Sequence, residues 1–201
     1  MGYDACENAQ NGGNYQDGNY GAGTGATVGK LYGMDYCMKS GIGSYAVSIG
    51  DLKVGAIVAV NALGDVYDWK KGKKVAGLLD ENKTGFRSTT EEMYKKYDVV
   101  ENKFTGNTTI GIIITNAKFD KTKLNKIASM SHNGYARAIH PVHTSADGDS
   151  IFAMSVGDVN ADMDMVGTLA SDVMAEAILR AVGLSDSAYG YVAAKDILVN
   201  K

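Results

Sequence analysis

The sequence predicts a layered α/β or α+β domain, on three observations. Apolar, β-branched runs typical of buried strands alternate with segments whose apolar residues recur at helical spacing. No stretch repeats with a period of roughly 20 to 50 residues, which argues against a repeat array. The composition, with 45% hydrophobic and 21% charged residues among 201, is that of a globular chain. We therefore expect a single domain over residues 1–201.

Glycine is concentrated at the start of the chain, where residues 1–50 hold 12 of the 25 glycines. This density and a polar opening predict a loop-rich first quarter. Within it, the block from Gly21 to Lys30 (GAGTGATVGK) indicates a backbone that passes very close to a neighbouring group. A nucleotide-binding loop is an alternative. Its Walker form, however, needs glycine where Thr24 stands and Ser or Thr where Leu31 stands, and its Rossmann form needs a preceding strand.

Two buried strands flank a polar segment in the middle of the chain. The run from Val54 to Asp68 predicts a strand followed by a turn, and the run from Thr108 to Ala117 predicts a second strand. Between them, the lysine- and acid-rich residues from about 70 to 107 predict an exposed connection with one or two helical turns. This connection is the best place for a mobile or cleavable processing segment.

The second half predicts two helices around a third strand. Asp120 stands before a run with helical spacing and is expected to be its N-cap. Residues 151–158 (IFAMSVGD) predict a strand. The run DMDMVGTLASDVMAEAILRAVGL predicts a helix with one apolar face and with Gly183 as its C-cap.

Charge, hydropathy and cysteine content exclude several classes of partner. The 20 basic and 23 acidic side chains give a formal net charge of −3, without the basic patch that nucleic-acid binding uses. No run is long and apolar enough for a membrane span, and the N-terminus lacks the pattern of a signal peptide. Cys6 and Cys37 lack C-x-x-C spacing and suit a reducing compartment. We expect a cytoplasmic protein with no nucleic-acid or membrane partner.

Several polar side chains suit either chemistry or structure. His140 and His143 lie three positions apart without a third ligand nearby, so a structural pair is expected rather than a metal site. Asp147 and Asp149 flank one glycine, which suits calcium, proton transfer or a tight turn, although the EF-hand pattern is absent. Lys30, behind its glycines, is either a solvated charge or a fixed cation beside a reacting group. No metal ion and no organic cofactor are expected.

The sharpest feature is the junction of Asn107 and Thr108, where the polar segment ends and the isoleucine strand begins. Threonine is a common strand residue, so β-propensity alone explains Thr108 and Thr109. In the alternative, the Asn107–Thr108 bond cleaves itself and Thr108 becomes a nucleophile. Its freed α-amine, with a pKa of roughly 7.7 to 8.0, is then the base that the hydroxyl requires. Composition alone does not distinguish the strand-forming interpretation of Thr108 from the self-cleaving one.

Five blocks in the same order extend these observations to a family. They are GAGTGATVGK, MKSGIGS, VGAIVAVNALGDV, NTTIGIIITNA and GYARAIHPVHTSADGDSIFAMSVGD. From about Gly18 to the C-terminus, the chain resembles the P1 family of self-processing peptidases, classed S58. Its members include DmpA-type D-aminopeptidases, β-peptidyl aminopeptidases and nylon-oligomer hydrolases. The resemblance implies an αββα sandwich like that of N-terminal-nucleophile hydrolases. It also implies a precursor that cleaves itself and assembles into homo-oligomers.

The resemblance also implies roles for individual residues. Thr108 matches the family's nucleophile, and the Asn107–Thr108 bond matches its autocleavage site, which makes 108–201 the nucleophile-bearing segment. Asn61 matches the asparagine whose amide donates to the oxyanion. The remaining matches are a lysine beside the nucleophile, Lys30, and the acidic pair that orients the threonine and its amine, Asp147 and Asp149.

The implied function is a self-processing peptide or amide hydrolase, an aminopeptidase, that acts through an acyl-enzyme on small peptide or amide substrates. Chains of the family normally begin well upstream of the glycine-rich block, so we expect an N-terminally truncated form or a fragment of a longer precursor. The alternative is a processing-defective member that binds peptides or partners without catalysis.

Overall fold

Four strands form the main sheet, and two long helices cover one of its faces. The computed structural model describes residues 2–13, 15–97 and 106–198. Its strands are, in chain order, β1 (Thr27–Val28), β2 (Met38–Lys39), β3 (Ile42–Ile49), β4 (Leu52–Ala59), β5 (Asp65–Asp68), β6 (Lys73–Ala76), β7 (Ile110–Ala117), β8 (Ile139–His140) and β9 (Ser150–Val159). Its helices are α1 (Gly2–Asn11), α2 (Thr89–Lys95), α3 (Lys121–Ala138), α4 (Met163–Gly183) and α5 (Ala194–Leu198).

The main sheet has the strand order β3-β4-β7-β9. The first three strands are antiparallel neighbours, whereas β7 and β9 are parallel. A parallel neighbour requires a crossover connection, and α3 lies in that crossover. Two smaller sheets have the orders β1-β2 and β6-β5-β8. This arrangement places the start of β7, the turn after β4 and the loop before β9 at one end of the main sheet.

Burial alternates along the strands and marks the face that the helices cover. On β4, Leu52, Val54, Ala56 and Val58 are buried, whereas the residues between them are more exposed. The helices α3 and α4 pack on each other and on this sheet. A buried valine or leucine side chain contributes about 1.5–3 kcal/mol relative to an exposed one, so this layer carries most of the hydrophobic stabilisation. None of the helices in the described ranges combines the length and the apolar character that a membrane crossing requires.

The opposite face of the main sheet is apolar and open to solvent. Register places Ile57 beside Ile112 and Ile112 beside Phe152, so these side chains point to one side. Phe152 is 62% exposed and Val156 is 60% exposed. We call this surface the outer face, and its large apolar members are Ile57, Ile110, Ile112, Ile114, Phe152, Met154 and Val156.

The predicted strands and helices of the second half are confirmed, with small changes at their ends. Asp120 caps α3 by accepting a hydrogen bond from the Lys123 N–H at 2.9 Å. The predicted Gly183 cap is wrong, because Gly183 is the last residue of α4 and Leu184 is its C-cap. The predicted strand over 54–68 divides into β4 and β5, because the chain turns at residues 60–64 to place Asn61 at the sheet end.

The prediction of an exposed segment over 70–97 is wrong for much of that range, and residues 98–105 lie outside the described residues. Leu78 and Leu79 are buried beside β6. The cause is the buried carboxylate of Asp65, which accepts hydrogen bonds from the Leu78 N–H at 2.8 Å, the Thr89 N–H at 2.8 Å and the Lys74 ammonium at 2.5 Å. These bonds hold the segment against β5.

The glycine-rich start is explained by close backbone packing. A Cβ atom at Gly23 would lie 2.2 Å from the Ile42 nitrogen, and one at Gly29 would lie 2.1 Å from the Gly77 carbonyl carbon. Neither position therefore accepts a side chain. The expected loop at the N-terminus is wrong for residues 2–11, which form α1 with every residue exposed.

Candidate active site

The Asn107–Thr108 peptide lies immediately before β7, at the end of the main sheet. Asn107 is buried and pairs with Asp147 in an isolated parallel bridge. The Thr108 N–H donates to the Asn61 carbonyl oxygen at 2.8 Å. The turn after β4 and the loop before β9 thus hold this peptide from two sides.

Two donors converge on the carbonyl oxygen of Asn107. The Gly148 N–H donates to it at 2.8 Å, and the Thr108 hydroxyl donates to it at 2.6 Å. A fixed backbone donor at a carbonyl oxygen stabilises the negative charge that develops there when a nucleophile attacks. The Thr108 hydroxyl therefore lies against the carbonyl group that it would attack in a self-cleavage reaction.

The side chain of Asn61 is oriented by donors to its oxygen. Its Oδ1 atom accepts hydrogen bonds from the Lys30 ammonium at 2.7 Å and from the Thr27 N–H at 3.2 Å. Its Nδ2 atom consequently faces the other way and donates to the Gly106 carbonyl oxygen at 2.9 Å. In the uncleaved chain, this amide therefore holds the residue before Asn107.

Lys30 is a buried cation next to this asparagine, with only 2% of its surface exposed. Burial lowers the pKa of Lys30 to about 8, and the nearby Asp147 carboxylate partly opposes that change. Its ammonium group also donates to the Asn61 carbonyl oxygen at 3.1 Å, the same oxygen that accepts the Thr108 N–H. Lys30 and the Thr108 nitrogen are thus linked through one acceptor.

The two carboxylates of the acidic pair have different partners. Asp147 accepts from the Thr144 hydroxyl at 2.6 Å and from the Leu63 N–H at 3.3 Å, so it joins the loop before β9 to the turn after β4. Asp149 accepts from the Thr109 N–H at 2.9 Å through its Oδ1 atom. Of the two, only Asp149 therefore binds the backbone next to the nucleophile.

The expected His140–His143 pair does not form. The His140 Nε2 atom lies 3.0 Å from the Ala136 carbonyl oxygen, because β8 directs this ring away from the loop before β9. His143 instead lies with its Nδ1 atom 2.9 Å from Asp149 Oδ2 and its Nε2 atom 3.3 Å from His132 Nδ1. His132 was not among the residues predicted from the sequence, although its spacing of three positions from Tyr135 on α3 places both side chains on one face of a helix.

Gly148 is a second residue that sequence reasoning passed over. A Cβ atom at this position would lie 2.8 Å from the Thr108 hydroxyl oxygen. Residue 148 must therefore be glycine because the Thr108 hydroxyl lies so close to it, in addition to any role of this glycine in the turn. The Asp-Gly-Asp triplet was a signal in the sequence, but only its two carboxylates were considered as candidate site residues.

Two other site types find no support in the described ranges. The amides of the glycine block are used within the fold, since the Gly29 N–H donates to the Gly64 carbonyl at 3.0 Å and the Lys30 N–H donates to the Leu63 carbonyl at 2.9 Å. They are not free to cradle a phosphate. Across residues 2–13, 15–97 and 106–198, no three side chains of the His, Cys, Asp or Glu type are grouped to hold a metal ion.

Solved structures of other proteins have the same fold. The L-aminopeptidase D-Ala-esterase/amidase of Ochrobactrum anthropi, described as a variant of the Ntn-hydrolase fold, matches with a TM-score of 0.60 and 18% identity, over 94% of this chain and 53% of that one. A Burkholderia β-aminopeptidase matches with a TM-score of 0.57 and 20% identity, over 94% and 54% of the two chains. The chain has the fold of the Ntn-hydrolase aminopeptidases.

Sequence comparison gives the family. Residues 1–194 match the model of peptidase family S58, and the chain belongs to that family. An uncharacterized aminopeptidase of Mycobacterium leprae is 33% identical over 86% of this chain and 50% of its own length. The 6-aminohexanoate-oligomer endohydrolase of Paenarthrobacter ureafaciens is 31% identical over 84% of this chain and 51% of its own length. The chain spans about half the length of these relatives.

Proposed function

We propose that the chain is the nucleophile-bearing part of a self-processing amide or peptide hydrolase, which cleaves its own Asn107–Thr108 bond and then uses Thr108 as an N-terminal nucleophile. The observation that carries the proposal is the Thr108 hydroxyl, 2.6 Å from the Asn107 carbonyl oxygen, with the Gly148 N–H on the same oxygen at 2.8 Å. Membership of a peptidase family supports it independently.

Self-cleavage begins when the Thr108 hydroxyl oxygen attacks the carbonyl carbon of Asn107. The hydroxyl proton passes to the Thr108 nitrogen, and the C–N bond breaks as the ester C–O bond remains. During this step the Gly148 N–H stabilises the oxyanion, a contribution of about 3–4 kcal/mol to the barrier for a well-placed donor. Water then hydrolyses the ester, which leaves a carboxylate on Asn107 and a free α-amine on Thr108.

In turnover, the freed α-amine of Thr108 takes the proton of its own hydroxyl as that oxygen attacks a substrate amide. The ammonium of Lys30 shares the Asn61 carbonyl oxygen with this nitrogen, at 3.1 and 2.8 Å. A neighbouring cation disfavours protonation of the amine and keeps it available as a base near neutral pH. Once Gly106 has left, the Asn61 amide is free to donate to the substrate oxyanion. Asp149 orients the backbone of Thr109 beside the nucleophile, and Asp147 fixes the surrounding loops.

The substrate that we propose is a small peptide or a linear amide. This proposal is supported by the names of two relatives, an uncharacterized aminopeptidase and a 6-aminohexanoate-oligomer endohydrolase. We further propose a homo-oligomer of processed subunits in the cytoplasm. Both cysteines of the described residues, Cys6 and Cys37, are free thiols, which fits a reducing compartment.

The intact mass of freshly purified protein tests the proposal. We expect two fragments, residues 1–107 and residues 108–201, to accumulate over time. The substitution Thr108→Val removes the hydroxyl at nearly constant shape and is expected to leave one full-length mass, whereas Thr108→Ser keeps a hydroxyl and is expected to cleave. A single full-length mass for the unsubstituted chain as well would contradict self-processing. That result would favour a binding protein without catalysis.

A further inference from the structure

The ring of His143 lies beside Asp149, the acidic residue that contacts the backbone of Thr109. The Asp149 side chain is 3% exposed, and its Oδ1 atom is held by the Thr109 N–H at 2.9 Å. Its Oδ2 atom receives no aligned hydrogen bond from the described residues, and it lies 2.9 Å from Nδ1 of His143. A buried carboxylate oxygen without a donor is costly unless a positive or hydrogen-bonding group faces it. His143 is the group in that position.

The backbone of His143 is strained. Its φ angle is 56°, in the left-handed region that residues other than glycine rarely adopt. Such strain persists only where surrounding contacts maintain it, and it clusters at functional sites. The His143 ring stacks on Tyr135 with centroids 5.9 Å apart and meets the edge of His132 with centroids 4.8 Å apart. Both partners belong to α3, so the helix supports the loop residue.

The three polar groups form a chain of close contacts. The His132 Nδ1 atom lies 3.3 Å from Nε2 of His143, and the His143 Nδ1 atom lies 2.9 Å from Asp149 Oδ2. Burial lowers the pKa of His132, and the proximity of His143 lowers it further. The titratable groups in contact with the His143 ring, among the described residues, are Asp149, His132 and Tyr135.

We propose that His143 is a positioning residue that holds the Asp149 carboxylate in a fixed orientation beside Thr108, the nucleophile of the proposed function. This inference rests on the proposed function, because it concerns the same site. The His143 side chain is partly exposed, whereas the Asp149 side chain is only 3% exposed. A carboxylate that lost this partner would turn away from Thr109, and the threonine amine would lose its orienting group.

The first experiment measures the pairing without any need for catalysis. The chain has three histidines, so their imidazole signals can be followed by NMR in the uncleaved Thr108→Val chain. We expect Asp149→Asn to move the imidazole signals of His143, because the carboxylate 2.9 Å from its Nδ1 atom is replaced. His140 lies away from the pair and serves as the internal control. Unchanged His143 signals overturn the proposal.

Should Asp149→Asn fail to fold, the reciprocal variant decides the same question. In His143→Leu, amide hydrogen exchange at Thr109 is expected to be faster than in the parent chain, because Asp149 no longer holds its orientation as the acceptor of that N–H. Unchanged exchange at Thr109 overturns the proposal.

The second experiment measures what the pairing does for self-cleavage. We expect His143→Leu to slow the cleavage of the full chain by about 10- to 100-fold, as small misplacements of reacting groups do. We expect His143→Asn to cleave within about threefold of the parent rate, since asparagine tolerates the left-handed backbone and can donate to Asp149. The control His140→Gln is expected to match the parent.

A merely structural role predicts a different result. In that case both His143 variants would lower the melting temperature and the rate together, without rescue by asparagine, and the proposal would fail. It also fails if His143→Leu cleaves with the parent rate. If the parent chain itself does not cleave, the proposed function is lost, but the NMR signals still decide whether His143 holds Asp149.

Discussion

The absence of a side chain at position 148 allows the Thr108 hydroxyl to lie close to the Asn107 carbonyl. The Gly148 N–H reaches the Asn107 carbonyl oxygen because the loop before β9 passes so close to Thr108. A Cβ atom would lie 2.8 Å from the Thr108 hydroxyl oxygen and 3.8 Å from the Asn107 carbonyl oxygen. The Thr108 hydroxyl therefore fits in its observed position only when residue 148 is glycine.

Gly148→Ala tests this requirement. The substitution keeps the N–H donor but forces the Thr108 hydroxyl to rotate, so we expect self-cleavage to slow by about 10- to 100-fold. The melting temperature should change little, because the loop is exposed at this residue. The rate is measured by intact mass against Ser145→Ala, an exposed neighbour in the same loop. Equal rates for the two variants would show that the contact is relieved without moving the nucleophile.

The burial of Lys30 predicts a dependence of folding stability on pH. Its pKa is about 8 in the folded chain against 10.5 for a free lysine. Between these values the unfolded chain holds the proton and the folded chain does not, so the free energy of unfolding rises with pH. Relative to Lys30→Met, the parent chain is expected to gain up to about 3 kcal/mol between pH 8 and pH 10.5.

The measurement is urea unfolding at several pH values in the Thr108→Val background, where no cleavage interferes. Lys123→Met, at an exposed position on α3, is the matched control. Its stability difference from the parent should not follow the same curve. A pH-independent difference for Lys30→Met would contradict the burial of a titrating ammonium.

At the scale of the elements, the crossing of α3 and α4 depends on glycine. A Cβ atom at Gly134 on α3 would lie 2.5 Å from the backbone carbonyl oxygen of Ser171 on α4. We expect Gly134→Ala to destabilise the fold by about 1–3 kcal/mol despite the higher helix propensity of alanine, since two backbones must separate.

The matched control is Gly183→Ala at the end of α4, where no atom lies within 4 Å of the added Cβ. Alanine should be neutral there or stabilising by about 0.5–1 kcal/mol. Urea unfolding measures both variants. The same sign of change at the two glycines would be inconsistent with the close crossing.

The elements that the sequence predicted well are those whose burial is periodic. The isoleucine run of β7 and the apolar face of α4 each show one regular spacing, which follows directly from strand and helix geometry. The segment of β6 and α2 is predicted as an exposed connection because it is rich in lysine, acidic and polar residues. Its burial depends on the carboxylate of Asp65, whose partners come from up to 24 positions further along the chain.

The site was predictable to a similar extent. Residues that a family pattern marks, such as Thr108 and Asn61, were assigned roles from the resemblance. The direction of each hydrogen bond was not predictable, because it depends on how three separate loops meet. Asn61 faces Gly106 only because Lys30 occupies its oxygen, and His143 reaches Asp149 only because α3 places His132 and Tyr135 behind it. Such contacts join residues far apart in sequence.

At the scale of the whole molecule, the outer face is the dominant feature. Its apolar side chains include Phe152, 62% exposed, and Ile110, 51% exposed. Contiguous apolar surface of this kind marks a place where another layer of protein packs, or a liability to self-association. Comparable chains of the fold extend to about twice the length that this chain matches.

We expect the isolated chain to bind a hydrophobic dye and to self-associate through this face. The double substitution Ile112→Thr and Phe152→Thr keeps strand-forming residues and should reduce both effects, with a change in unfolding free energy of less than about 1 kcal/mol. Ala56→Thr on the helix-covered face is the control and should destabilise the fold. Dye fluorescence and light scattering measure the outcome. Unchanged association in the double variant would show that another surface is responsible.

The hydrogen bond from the Asn61 amide to Gly106 has a kinetic consequence. Under the proposed function, the segment that ends at Asn107 is a tethered inhibitor in the uncleaved chain, because it occupies the donor that a substrate would use. The precursor is then a zymogen, and breaking the peptide bond is not sufficient to activate it. Activity appears only when the new carboxyl end withdraws, so activation can lag behind cleavage, and a peptide that ends in Gly-Asn would act as a competitive product inhibitor.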